Sequence, residues 1–103
     1  MDLQLSDKIA VITGASQGIG LAVARALARE GVHVVLCARN GERVAAAAES
    51  IAAEYGVQAL GVAVDVTAPA DIERLVRQME ERFGGADILI DNAGAGSEET
   101  IME

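Results

Sequence analysis

The residues with the clearest chemical capacity form a glycine-rich stretch near the start of the chain, Thr13-Gly14-Ala15-Ser16-Gln17-Gly18-Ile19-Gly20. It follows a Val/Ile-rich run and leads into a helical pattern. Glycines at such a junction let the backbone turn sharply and bring its N–H groups close to an anion. The helix start adds unpaired donors and the positive end of a dipole. That is the chemistry of holding a pyrophosphate. A tight loop with no ligand would also use glycines. Here, however, the turn follows a strand, opens a helix and lies in a βαβ unit of about 30 residues, the context a dinucleotide site requires. Gly20 also suits a close approach of helix to strand.

The second point of interest is Arg39-Asn40, after the next Val-rich run. In a dinucleotide-binding βαβ unit this position reads the ribose. A carboxylate there binds both hydroxyls and repels a 2′-phosphate, whereas a guanidinium matches a phosphate. Arg39 therefore argues for NADP(H) over NAD(H). A purely structural role is poorly motivated, because a cation at a helix start opposes the helix dipole.

These residues need elements to position them. Nearly continuous apolar runs at Ile9–Thr13, Val32–Cys37, Ala59–Val64 and Ile88–Ile90 read as parallel strands buried on both faces. Between them lie three helical patterns. The first, Gly18 to Glu30, carries Ile19, Val23, Ala26 and Leu27 on one face. The second, Glu42 to Glu54, carries Val44, Ala48, Ile51 and Tyr55. The third, Pro69 to Phe83, carries Ile72, Leu75, Val76, Met79 and Phe83. Asn40 is expected to cap the second helix and Thr67 the third. Gly31, Gly56 and Gly84-Gly85 mark the helix ends. The order β-α-β-α-β-α-β implies right-handed crossovers and an α/β, doubly wound Rossmann sheet.

The bulk properties narrow the partners. The chain has 103 residues, one small domain's worth, with a net charge of −8, which argues against nucleic acid. The only aromatics are Phe83 and Tyr55, so the core must be built from Val, Ile, Leu and Ala. One cysteine, Cys37, excludes an internal disulfide and fits a reducing cytoplasm. The N-terminus lacks the pattern of a signal peptide, and the apolar run Val32 to Ala38 is too short to span a bilayer. His33 begins a strand with no partner in view and reads as structural. No metal site is assigned.

The turn is not the common G-x-G-x-x-G. It reads T-G-x-x-x-G-I-G, and with Asp65-Val66 and Asp91-Asn92-Ala93-Gly94 in order behind it, nearly the whole chain resembles the short-chain dehydrogenase/reductase family. The resemblance implies cofactor contacts from Gly14, Ser16, Gln17, Gly18, Ile19 and Gly20, and from Arg39 and Asn40. It sets Asp65 and Val66 against the adenine, the carboxylate accepting from the amino group. It sets Asn92, Ala93 and Gly94 beside the cofactor ribose. It also implies a sheet in the order 3-2-1-4. Two departures stand out. NADP-preferring relatives often carry a basic residue in the glycine turn, where this chain has Gln17. The family's N-N-A-G reads D-N-A-G here, and the extra carboxylate of Asp91 has the capacity to weaken local amide hydrogen bonding.

The family's chemistry is hydride transfer between nicotinamide and a small carbonyl or alcohol, using a serine, a Tyr-x-x-x-Lys and an asparagine that lie beyond N-N-A-G. In this chain the only tyrosine, Tyr55, is followed four places on by Ala59, and the only lysine is Lys8. Ser97 comes too early for the family's serine. No catalytic residue is assigned, and the 103 residues are read as one incomplete NAD(P)-binding domain. Three readings follow: the cofactor-binding part of an oxidoreductase, a non-catalytic nucleotide-binding module, and an inert truncation product. A phosphate-receiver domain shares the alternating rhythm, and Asp65 could pass for its phosphorylated aspartate. No acid pair follows the first strand, however, and the glycine turn would have no purpose. An uncovered fourth strand would leave unpaired N–H and C=O groups, so self-association through Ile88 to Asp91 is expected.

Overall fold

The computed structural model describes residues 5–92; Ala93, Gly94 and the acidic tail lie outside them. The elements run β1 (Ile9–Thr13), α1 (Gly18–Arg29), β2 (His33–Ala38), α2 (Gly41–Tyr55), β3 (Ala59–Ala63), α3 (Pro69–Phe83) and β4 (Ile88–Ile90). The strands form one parallel sheet in the order β3-β2-β1-β4. This is the expected truncated Rossmann arrangement of four strands and three helices.

Strand alternation divides the core in two. Ala10, Ile12, Val34 and Leu36 point to the face covered by α1 and α2, where they meet Ala24, Ala28, Val44, Ala48 and Ile51. Val11, Val35, Cys37 and Val62 point to the other face, where Leu75 and Met79 of α3 cover them. Both surfaces of the central strands are dry, which is why their sequences are nearly continuous in apolar residues. Tyr55 is half-buried and packs at the margin of the first cluster. On β3, Gly61 faces α2 so closely that an added Cβ would lie 2.6 Å from the Val44 carbonyl oxygen.

Several expectations need correction. Ile19 does not join a buried face of α1; it is 74% exposed, and Ala26 is exposed as well. The buried stripe is Gly20, Ala24 and Ala28, at i, i+4 spacing. Small residues there let the helix backbone lie close to the sheet, which bulkier Ile19 and Leu27 would prevent. Val76 of α3 is likewise largely exposed. Glu30 is the C-cap of α1 rather than part of it, and α2 extends one residue further at each end than expected.

Asn40 caps α2 as expected, its Oδ1 accepting from Arg43 N at 3.0 Å. Thr67 does not cap α3. Ala68 holds the cap position, while the Thr67 hydroxyl turns back to donate to Asp65 Oδ1 at 2.6 Å. The carboxylate two residues earlier is a stronger acceptor target than a backbone N–H is a donor for that hydroxyl. His33 does have partners: Nδ1 accepts from Gln58 N at 2.9 Å, and Nε2 lies 3.2 Å from Asp7 Oδ1. Its role remains structural, tying β2 to the chain on either side.

Candidate functional site at the C-terminal edge of the sheet

Parallel strands bring every segment singled out in the sequence to one edge of the sheet, where β1, β2, β3 and β4 end. At its centre the chain leaves β1 and turns into α1. The Ala15 N–H donates to the Cys37 carbonyl at 3.1 Å, and the Ala15 side chain is fully buried, so the floor of the turn is fastened to β2. Gly18 has φ +64°, and a Cβ there would meet nothing within 4 Å. The turn therefore has open space above it. Gln17 is the N-cap of α1 in extended conformation, and its side chain makes no capping hydrogen bond. The exposed rim is formed by Gln17, Gly18 and Ile19, with Ser16 half-buried below.

Gly20 sits against the start of the turn. A Cβ on it would lie 2.3 Å from the Gly14 carbonyl oxygen and 2.9 Å from Asn92 Nδ2. That asparagine side chain donates to Gly14 O at 3.3 Å, so β4 braces the turn from the side. A second brace is Thr13. Its hydroxyl accepts from Asn92 N at 2.8 Å and donates to Asp91 Oδ1 at 3.0 Å. Asp91 thus takes a hydroxyl hydrogen, while the Asn92 N–H and side-chain amide each make a bond of their own. The Thr13 node was not legible beforehand, because it joins positions 78 and 79 residues apart.

On the β2 side, Arg39 and Asn40 follow the strand end and are exposed. Arg43, in the first turn of α2, reaches across to the glycine turn, where its Nη1 donates to Gln17 Oε1 at 2.9 Å. This contact was also missed, since nothing in the spacing of Gln17 and Arg43 announces it. On the β3 side, Asp65 Oδ1 accepts from Thr67 Oγ1 and from Thr67 N at 2.9 Å. The Thr67 hydroxyl, then its N–H, and in smaller part the charge of Arg39, hold the Asp65 carboxyl below the usual range. Asp71 is held low by the Asp65 N–H and by Arg74, whose guanidinium also bonds the Ala63 carbonyl. Val66 is 43% exposed at the same edge. Ala93 and Gly94 lie outside the described residues.

Cys37 supports the floor but does no chemistry there: burial pushes its thiol up to about 12, so it stays protonated. The edge as a whole offers open backbone donors at a helix start, flanked by arginines and by ionised carboxylates further along. It can hold an extended anion and orient it. Among the described residues it presents no paired acid and base for proton transfer.

A family model described as short chain dehydrogenase matches residues 8–103. The sorbitol dehydrogenase of Cereibacter sphaeroides is 42% identical over 101 residues, which is 98% of this chain and 38% of that protein. The 3-oxoacyl-[acyl-carrier-protein] reductase of Aquifex aeolicus is 38% identical over 94 residues, again 38% of its length. Among solved structures, L-sorbose reductase from Gluconobacter frateurii, complexed with NADPH and L-sorbose, matches with a TM-score of 0.90 and 52% identity. That match covers 94% of this chain and 37% of the other. The chain thus spans less than two fifths of each of these proteins.

Proposed function

The chain belongs to the short-chain dehydrogenase family, and from that premise we propose that it is the cofactor-binding part of an oxidoreductase that prefers NADP(H) to NAD(H). One observation carries the reading. The uncapped N-terminus of α1 opens beside the end of β2, where Arg39 stands exposed. The residues present fit a dinucleotide. The free N–H groups of α1 suit a pyrophosphate, the open space over Gly18 admits it, and Arg39 suits a 2′-phosphate. Gly14, Ser16, Gln17, Gly18, Ile19 and Gly20 line the pyrophosphate side. Asp65 and Val66 take the adenine, with Asp65 accepting from its amino group while its Oδ1 also serves Thr67. Asn40 borders the adenosine ribose and Asn92 the other ribose, to which Ala93 and Gly94, outside the described residues, are also assigned. Because each neighbour is supplied by a different strand end, the ligand is oriented as well as held.

When bound, the dinucleotide supplies or accepts the hydride. The 103 residues contain no Tyr-x-x-x-Lys, so this chain's part is to bind and orient. The whole protein's substrate is read as a small carbonyl or alcohol, in keeping with the sorbitol dehydrogenase and L-sorbose reductase named above. The same proposal places it in the cytoplasm, supported by the lone, buried, protonated Cys37; among the described residues no helix is long and apolar enough to cross a membrane.

The test is a binding titration with both reduced cofactors. NADPH is expected to bind about tenfold or more tighter than NADH, the size of one charge-assisted contact to a phosphate. Arg39→Glu is expected to abolish or invert that ratio. Equal affinities in the unaltered chain would defeat the NADP reading, and no binding of either would defeat the cofactor reading. Self-association belongs to the same proposal. The outer edge of β4 pairs with no strand among the described residues, and Leu89 is 72% exposed there. Light scattering of the 103-residue chain at high concentration is expected to show dimers or larger species; a monodisperse monomer would refute this.

A further inference from the structure

We infer that Arg43, aimed by Gln17, is a second cation for the 2′-phosphate of the cofactor and shares with Arg39 the discrimination between NADP(H) and NAD(H). The inference rests on the cofactor reading above and extends it to Arg43, which that reading left unused. Gln17 occupies a turn position where a basic residue would supply charge. In this fold that charge arrives from the neighbouring helix instead. The Arg43 guanidinium is brought to the rim of the turn by its 2.9 Å bond to Gln17 Oε1.

Three features favour a ligand role over a structural one. First, Arg43 stands in the first turn of α2, where a cation opposes the helix dipole, so the helix gains nothing from its charge. Its backbone N–H already serves the Asn40 cap, which any residue at this position could do. Second, the acceptor that holds it is a neutral amide. It orients the guanidinium without cancelling its charge, as a carboxylate would. Arg43 is in none of the salt bridges among the described residues. Third, a guanidinium has five N–H donors and the Gln17 bond uses Nη1. The remaining donors, in their planar fork, suit phosphate oxygens. Arg39 lies four positions earlier, exposed just past the end of β2 on the same edge of the sheet. A phosphate dianion seated there would be approached from the β2 end by Arg39 and from the glycine-turn side by Arg43. Both cations work against a chain of net charge −8, so the attraction is local and depends on this placement.

The experiment compares two small ligands that differ only in the 2′-phosphate, 2′,5′-ADP and 5′-AMP, by calorimetric titration at several salt concentrations. The unaltered chain, Arg43→Gln, Arg43→Lys and Arg39→Gln are measured side by side. Arg43→Gln is expected to lose about tenfold on 2′,5′-ADP and less than about twofold on 5′-AMP, with a shallower salt dependence. Arg43→Lys is expected to recover part of that loss, since it restores charge without the fork. An unchanged 2′,5′-ADP affinity in Arg43→Gln, alongside a loss in Arg39→Gln, overturns the inference and leaves the cofactor reading standing. Equal losses on both ligands overturn it too, because they would mean that Arg43 only shapes the turn. Failure of the unaltered chain to bind either ligand overturns the cofactor reading and this inference together.

Discussion

Replacing Gly20 with alanine is expected to lower the melting temperature by about 10 °C or more and to cost at least about tenfold in NADPH affinity. Two effects oppose each other. Alanine in a helix interior is intrinsically favoured over glycine by about 1 kcal/mol. Against that, the new methyl would lie 2.3 Å from the Gly14 carbonyl oxygen and 2.9 Å from Asn92 Nδ2. The first neighbour is backbone and cannot rotate away. Overpacking of this kind costs about 1–3 kcal/mol and more when main chain must move, so the clash outweighs the propensity gain. The relief is to lift α1 or displace Gly14. Either one shifts the floor of the turn, and with it the first N–H groups of the helix. Thermal denaturation and a cofactor titration read the two effects separately. A variant with unaltered melting and unaltered binding would show that the close approach of α1 to the turn has no consequence.

The matched substitution is Gly61→Ala, on the far strand. Its methyl would lie 2.6 Å from the Val44 carbonyl oxygen, 2.9 Å from that carbonyl carbon and 3.0 Å from Ala45 Cα. All three are main chain. To make room, α2 must rise from β3, which loosens Val44, Ala48 and Ile51, each buried beneath it. Strand propensity favours alanine over glycine by less than about 1 kcal/mol, too little to compensate. A loss of about 2–3 kcal/mol is expected, read as a fall in melting temperature similar to that of Gly20→Ala. The difference lies in function. Gly61 is in mid-strand, away from the glycine turn, so cofactor affinity per folded molecule should change less than about twofold. Comparable affinity losses in both variants would mean that α2 and the turn move as one body.

Much of this was legible in advance because it depends on local pattern. The central strands β1 and β2 were readable because burial on both faces demands nearly uninterrupted apolar residues, whereas β3 and β4, read in the same way, are only partly buried. The α2 cap was readable because Asn40 needs only a donor three residues away. The glycine turn was readable because its demands, a sharp turn and an open helix start, are met within eight consecutive residues. Ile19 misled the reading of α1, since an apolar residue at helical spacing looks like core. Proximity to the sheet favoured glycine and alanine at the contact and left the isoleucine at the exposed rim of the glycine turn. Thr67 misled the reading of α3 for a related reason. A capping residue was in place, but Asp65 two positions earlier offered its hydroxyl a charged acceptor.

The sequence alone determined the order of elements, the parallel sheet and the group of segments that share its C-terminal edge, because these follow from periodicity and from the geometry of βαβ crossovers. Only the tertiary structure decided which side chains meet at that edge. Thr13 with Asp91 and Asn92, Gly20 with the Gly14 carbonyl, Gly61 with α2, and Arg43 with Gln17 join residues on different elements. Their contacts depend on strand register and on how far each helix stands from the sheet, quantities set by packing of the whole core rather than by any local run of residues.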